Sequence, residues 1–389
     1  MRIGVLTHSA SDDNYGQLLQ CYALQQYLKG IGHHPFLIQY EVENTPKKNI
    51  LSPVKNIARG ILCILSKQYR EAYSSIKTMK RQREINVIRN KKREFVQFKR
   101  KYIEQTKFYS TLSELQQDAP DAEVYIVGSD QVWIPTVNSN SALAWYLQFG
   151  LKDTKRIAYA ASFGRKLNET EYEPFRKLTA GFTAISVREN KALIYCKNAG
   201  VENVQVVLDP TCLVGAEVYM PFIQKDNRVK PYLFLYYVNV IDKGDLSWNQ
   251  VKEFINAKGL EIKSVSASGY YPSFDIIPEH ENLLLTIPEW LDSVYHADYV
   301  VTTSFHGVVF AILMHRSFVS IPIKGMYSSG NDRIVSLLDN LGLTDHVLTA
   351  NRTVSDILSM PVDWNSVDAR LKVLRKRSEE FLTHALQSN

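Results

Sequence analysis

Asp298-Tyr299-Val300-Val301-Thr302-Thr303-Ser304-Phe305-His306-Gly307 passes from an apolar run into small hydroxyl residues and then directly into a helical pattern. A short apolar run bounded in this way reads as a buried strand of a parallel sheet, followed at once by a helix. Helix N-termini carry unsatisfied N–H groups and a partial positive charge, so they favour anions such as phosphate. Ser304 is placed to cap the helix, and Gly307 to let a ligand approach the backbone. His306 stands at the turn with a side chain suited to proton transfer near neutrality. The plainer reading is a serine cap and a histidine that only satisfies a hydrogen bond. The position at the end of a strand favours function.

Working outward, the same strand-and-helix alternation recurs along the chain. Strands are expected at Arg2 to Ser9, His34 to Tyr40, Glu123 to Val127, Arg156 to Ser162, Thr183 to Val187 and Val204 to Leu208. Helical periodicity covers Tyr15 to Lys29, Glu171 to Ala180 and Asn190 to Ala199. A polar break at Leu213 to Lys230 precedes a second series, with strands at Pro231 to Val238, Glu261 to Ser266, Asp298 to Thr303 and Phe318 to Ile323. Helices are expected near Trp248 to Ala257, Ile287 to His296, Gly307 to Met314 and Asp332 to Leu341, and a long amphipathic one follows Pro361. This is an α/β chain of two Rossmann-like domains facing across a cleft. Residues 1–225 form the first domain and 226–364 the second, with 365–389 a final helix. Ligands of such sheets bind at the carboxyl ends of strands, so the loops there are where chemistry belongs.

Three more strand ends carry reactive groups. Thr183-Ala184-Ile185-Ser186-Val187-Arg188-Glu189 delivers an arginine whose fork can grip a carboxylate or phosphate; the alternative is an ion pair with Glu189 or another carboxylate. Val124 to Val127 runs into Gly128-Ser129-Asp130-Gln131-Val132-Trp133, which presents a carboxylate, an amide and an indole together. Sugars are held by such groups, and Asp130 could accept a hydroxyl proton. Equally, Asp130 could be a cap and Trp133 a core residue. After the first strand, Asp12-Asp13-Asn14-Tyr15-Gly16-Gln17 offers Asn14 as cap with Gln17 as its partner, or Gly16 as a point of close substrate approach.

Composition narrows the class. The chain has 389 residues, 45% hydrophobic and 22% charged, as in ordinary globular proteins. No apolar stretch of about eighteen residues reads as a membrane span, and Met1 leads straight into strand-like sequence, so the expectation is a cytoplasmic protein. The four cysteines, Cys21, Cys63, Cys196 and Cys212, form no paired motif and read as reduced thiols. There is no Walker loop, no Gly-x-Gly-x-x-Gly and no His-Glu-x-x-His, and His33 and His34 point to opposite strand faces. No metal site is expected.

The net charge of +6 is unevenly placed. Between Lys47 and Lys107 stand 18 Lys or Arg against four Glu, a local net of +14, so the other residues sum to −8. Ile50, Val54, Ile57, Ile61 and Leu65 form an apolar helical stripe beside Lys48, Lys55, Arg59, Lys67 and Arg70. An anionic membrane surface and a solvated basic helical insertion at 47–107 both fit that pattern. Nucleic acid is not expected, because aromatics are sparse until Phe95, Phe98 and Tyr102, whose spacing suits a helix core face.

Taken together, Asn14-x-Gly16, Gly128-Ser129-Asp130-x-x-Trp133, Ser186-x-Arg188-Glu189, Leu208-Asp209-Pro210 and Ser304-x-His306-Gly307 resemble the polysaccharide pyruvyl transferase family. Each motif is short, but their order is specific and runs from the first strand to about Arg333; the basic block carries none of them. The resemblance implies a glycosyltransferase-B-like architecture with the last helix crossing back to the first domain. It also implies phosphoenolpyruvate as donor and a sugar of a surface-polysaccharide precursor, free or lipid-linked, as acceptor, with no cofactor. Arg188 and His306 become the donor-binding and catalytic pair, joined on the donor side by Ser304, Gly307 and Arg333 in Asn331-Asp332-Arg333-Ile334. Asn14, Gly16, Asp130, Gln131 and Trp133 fall on the acceptor side, with Asp130 also a candidate base. A metal-independent sugar-nucleotide glycosyltransferase of the same fold is the alternative, and a non-catalytic membrane-surface scaffold would leave the polar strand ends unexplained.

Overall fold

The computed structural model describes residues 1–41, 84–133 except 86, 142–267 except 227, and 276–388 except 278, 279 and 281. Ile50, Val54, Ile57, Ile61, Leu65, Lys48, Lys55, Arg59, Lys67, Arg70 and Cys63 lie outside the described residues.

Strands β1 (Arg2–Leu6), β2 (His34–Tyr40), β3 (Gln105–Tyr109), β4 (Val124–Val127), β5 (Lys155–Ala161), β6 (Ala184–Val187) and β7 (Val204–Val206) form one sheet in the order β3-β2-β1-β4-β5-β6-β7. Strands β8 (Tyr232–Val238), β9 (Glu261–Ala267), β10 (Tyr299–Thr302) and β11 (Ser317–Ser320) form a second, in the order β11-β10-β8-β9. All pairings between these strands are parallel. Their central strands are apolar on both faces, as helix-covered parallel strands must be: every residue of β4, and all of β8 but Val238, is buried. In the first sheet the chain reverses its direction of travel between β1 and β4, and in the second between β8 and β10. Such switch points leave a crevice at the carboxyl ends of the strands.

Five helices position the site: α1 (Tyr15–Gly30), α2 (Phe95–Tyr102), α3 (Phe305–Leu313), α4 (Asn331–Leu341) and α5 (Trp364–Gln387). One apolar cluster spans both sheets, joining Leu18 and Leu19 of α1 and Phe95 and Phe98 of α2 to Phe234 of β8, Trp290, and Phe310 of α3. At its centre Tyr15 stacks on Trp290 with ring centroids 5.2 Å apart. The Tyr15 hydroxyl donates to Leu285 O at 2.7 Å and accepts from Arg93 Nη1 at 2.9 Å, while Arg93 Nη2 donates to Ser266 O at 2.8 Å. A fully buried guanidinium with carbonyl and hydroxyl partners thus ties the start of α2 to β9, across the two sheets. Helix α5 begins against the second sheet's layer through Val367 and Leu371, and ends beneath the first, where Phe381, Leu382 and Leu386 pack with Ile3 and Val5. Among the described residues no helix is long and apolar enough to cross a membrane.

Two expectations change. The charge pattern alone extends the basic insertion through Lys107, but α2 contributes Phe95 and Phe98 to the core and β3 pairs with β2. Strand β3 gives little sequence signal because it is an edge strand with exposed Lys107 and Phe108. The helix after β10 opens at Phe305 rather than Gly307, so His306 lies inside its first turn.

Candidate active site

The two switch points face each other across a cleft of about 340 Å³. His8, Asn14, Asp130 and Gln131, at the ends of β1 and β4, line one wall. Asn239, Thr303, Ser304, His306 and Arg333 line the other. Ser304 caps α3 by accepting from Gly307 N–H at 3.4 Å, which leaves the cap residue and first turn at the cleft.

Behind His306 lies a buried ionic network. The His306 imidazole is almost wholly enclosed, and its Nε2 stands 3.7 Å from Asp209 Oδ1. That is an ion-pair contact rather than a hydrogen bond, and Nε2 has no closer partner. Asp209 Oδ1 also accepts from Thr211 N at 2.9 Å and Thr211 Oγ1 at 2.6 Å. Its Oδ2 accepts from Arg188 Nη1 at 2.7 Å and Ser129 Oγ at 2.8 Å. Burial alone would raise the Asp209 pKa, but His306, Arg188 and the Thr211 hydrogen bonds hold it well below the usual carboxylate range. A carboxylate fixed in this way sets a negative charge directly behind the imidazole.

Asp130 adopts φ +74°, a conformation costly for a residue with a Cβ. There its Oδ1 sits 3.5 Å from Arg188 Nη2 and 3.8 Å from Arg333 Nη1. Burial opposes its charge, yet Arg188, His8, Arg333 and His306 together lower its pKa below the ordinary value. Phe305 lies between the two arginines, its ring centroid 4.8 Å from the Arg188 guanidinium carbon and 5.6 Å from that of Arg333. Burial, with Arg188 adding like charge, lowers Arg333 to about 10, so it stays cationic at neutral pH. Ser186 serves the backbone: its Oγ donates to Ala158 O at 3.0 Å and accepts from Ala160 N–H at 3.1 Å, spanning the irregularity in β5 where Ala160 takes φ +49°.

A family model, polysaccharide pyruvyl transferase, matches residues 14–325, most of the chain and all four strand ends that build this network. The chain belongs to the polysaccharide pyruvyl transferase family. No curated protein is similar to it in sequence at a significant level. Among solved structures it resembles a UDP-N-acetylglucosamine 2-epimerase from Rickettsia bellii, at 10% identity over 99% of this chain and 96% of that one, with a TM-score of 0.50. It is also similar to a protein described as a UDP-N-acetylglucosamine 2-epimerase from Listeria monocytogenes, at 11% identity over 100% and 97%, with a TM-score of 0.49. A third, the Neisseria meningitidis UDP-GlcNAc 2-epimerase bound to UDP-GlcNAc, gives 10% identity over 100% of both chains and a TM-score of 0.45. At such identities the likeness concerns fold alone, and that fold is glycosyltransferase-B-like: two Rossmann-like domains across a cleft.

Of the residues singled out from the sequence, the structure brings Asn14, Asp130, Gln131, Ser304, His306 and Arg333 to the cleft wall. Asn14 occupies the N-cap position of α1 but makes no capping hydrogen bond, so its amide is left to the cleft. Arg188 does not line this cleft; its side chain is 2% exposed and its carboxylate partners are Asp209 and Asp130. Its ion pairs are thus with other carboxylates than Glu189, which accepts from Ser162 Oγ at 2.8 Å. Trp133 belongs to the core, fully buried and stacked on Tyr146 at 5.7 Å, with no face for a sugar. At Gly307 and Gly16 the space that a Cβ would take is filled by protein. A Cβ at Gly307 would overlap Thr302 Oγ1, and one at Gly16 would overlap the His306 imidazole. Both glycines bring protein elements together.

The sequence alone assigns no role to Asp209, although the Leu208-Asp209-Pro210 motif contains it, or to His8 and Thr303. The available signal is position: each lies within three residues of the end of a strand whose carboxyl end faces the cleft or its network. Nothing in sequence separation links Asp209 to Ser129, 80 residues away.

Proposed function

We propose that this cleft transfers pyruvate from phosphoenolpyruvate to a sugar of a surface-polysaccharide precursor, closing a ketal on two sugar hydroxyls. The observation that carries the reading is His306, presented to the cleft from a helix N-terminus with the buried Asp209 carboxylate behind it. The donor is a small molecule with a carboxylate and a phosphate; Arg333 and the start of α3 supply complementary charge at the cleft wall, with Arg188 buried behind them. In this reading His306 gives a proton to the methylene carbon of phosphoenolpyruvate, and C2 gains oxocarbenium character. A sugar hydroxyl attacks C2 and loses its proton; phosphate leaves with the electrons of its C–O bond; the second hydroxyl then attacks C2, loses its proton and closes the ring. The lowered pKa of Asp130 suits it to accept a hydrogen bond from an acceptor hydroxyl and orient it, more than to remove its proton. Asn14 and Gln131 supply further hydrogen bonds for the acceptor. No cofactor enters the scheme. The sugar-nucleotide alternative is supported by the fold alone.

Mass spectrometry of candidate sugars and lipid-linked sugars incubated with the enzyme and phosphoenolpyruvate tests the reaction. A product heavier by pyruvate minus water, with equimolar phosphate released, is the expected outcome. Phosphate release with no gain of mass on any sugar, or transfer from a sugar nucleotide instead, removes the reading.

The same reading places the enzyme peripherally at the cytoplasmic face of a membrane, where a lipid-linked acceptor resides, through the charge of residues 47–107. Each basic residue near an anionic surface contributes about 1 kcal/mol, screened by salt. The protein should sediment with anionic liposomes at low salt and be released at high salt. Failure to sediment at low salt discards this part.

A further inference from the structure

A sugar hydroxyl that attacks C2 must give up its proton, and Asp130, its pKa lowered by cationic neighbours, is a poor group to take it. Among the described residues, the other ionisable side chains lining the cleft are His8, Asp13, Glu41, His306 and Arg333. Arg333 stays cationic, and His306 is the acid. Asp13 is already engaged, its Oδ1 accepting from Ser11 Oγ at 3.1 Å, and Glu41 is exposed just past the end of β2. Imidazole is the side chain that ordinarily takes up and releases a proton near neutrality, which leaves His8.

His8 is held in place from several sides. Thr7 Oγ1 donates to Ser129 O at 2.8 Å and accepts from Gln20 Nε2 at 2.8 Å, binding the chain just past β1 to the chain just past β4. The half-buried His8 ring lies against Trp145 with ring centroids 4.4 Å apart, and its Nε2 is 3.3 Å from Gln131 O. A carbonyl oxygen only accepts, so in the neutral ring Nε2 carries the hydrogen and Nδ1 the lone pair. No described residue hydrogen-bonds Nδ1. His8 stands close enough to Asp130 for its charge to help lower that carboxyl's pKa. A hydroxyl oriented by Asp130 is therefore brought to the side of the cleft where this imidazole stands.

We propose that His8 is the general base for the acceptor: its Nδ1 takes the proton of the sugar hydroxyl that attacks C2, from the wall opposite the acid His306. The assignment rests on the pyruvyl transfer proposed above. As the O–H bond breaks, its electron pair stays on oxygen, an oxygen lone pair forms the bond to C2, and His8 becomes imidazolium. The proton of the second hydroxyl leaves with the phosphate. His8 then releases its proton to water and His306 regains one, so both histidines return to their starting states. Acid and base come from different sheets, and neither has to serve twice.

Steady-state kinetics of His8→Gln in the full chain, with phosphoenolpyruvate and the sugar that the wild type pyruvylates, test the assignment. Glutamine can still donate to Gln131 O but cannot take a proton, so kcat should fall by about 10²-fold while the KM for phosphoenolpyruvate stays within about threefold of the wild type. Turnover within a few-fold of the wild type overturns the proposal, and so does a loss confined to the KM for the donor. His8→Ala assayed with added imidazole decides the same question if the glutamine variant folds poorly. Free imidazole should restore turnover until it saturates, and no recovery at any concentration rejects the base. A wild type that pyruvylates no sugar removes the reaction and the base together, whereas an active wild type with an equally active His8→Gln removes only the base.

Discussion

Gly16, in the first turn of α1, packs directly against the His306 imidazole, so that a Cβ on residue 16 would overlap Nδ1. The two residues come from different domains, and their contact sets how closely the heads of α1 and α3 approach. With Nε2 turned to Asp209, Nδ1 is the nitrogen on the side of α1. One added methyl group should therefore act on the histidine before it acts on anything else. Gly16→Ala is expected to lower turnover by about 10²-fold, in the range of a lost general acid. Because the effect passes through one ring, combining it with His306→Ala should cost little beyond His306→Ala alone. Kinetics of the two single variants and the double variant check this; additive losses would separate the glycine from the histidine.

His306→Ala alone should reduce turnover by about 10²-fold or more while donor affinity changes less. Turnover within a few-fold of the wild type would remove the histidine from proton transfer.

Arg188→Lys keeps the charge but cannot reproduce a fork that meets Asp209 and Asp130 at once. It should weaken donor binding and lower the melting temperature together, because the arginine is also a buried structural partner. Unchanged affinity for phosphoenolpyruvate with lowered stability would leave it a structural role only.

Asp209 supplies the pH prediction. Its folded pKa is depressed, so its contribution to stability is fully present above the unfolded carboxyl value of about 3.9 and is lost as pH falls below that toward the folded value. Asp209→Asn should be less stable than the wild type at neutral pH, and the gap should narrow below about pH 4. Chemical denaturation at a series of pH values measures the difference; a gap independent of pH would mean that the carboxylate charge is not what stabilises the network.

Trp133 gives a contrasting prediction. Its ring packs with Tyr146, Phe163 and Phe175, so Trp133→Ala should destabilise the fold by about 3–5 kcal/mol through lost burial and a cavity. Trp133→Phe should fold and show an unaltered KM for the acceptor. A raised acceptor KM in that variant would return the indole to the site.

Local sequence was sufficient for the elements and for the candidate chemistry. The apolar run of Val124 to Val127, the run opening at Tyr232, and the turn from Thr302 through His306 state strand, strand end and helix start within ten residues each, because burial on both faces and capping are short-range demands. Strand β3 escaped because an exposed edge strand need not be apolar. What only the tertiary structure decided is which strand ends meet. The pairing of Asp209 with Ser129, Arg188 and His306, the glycine at 16 shaped to a histidine 290 positions later, and the retreat of Trp133 and Arg188 from the cleft all depend on strand order and on the docking of two sheets over a shared core. Sequence periodicity records how each element meets solvent and core. It holds no record of distance between elements, which is fixed only when the parallel crossovers place β4 beside β1 and β10 beside β8.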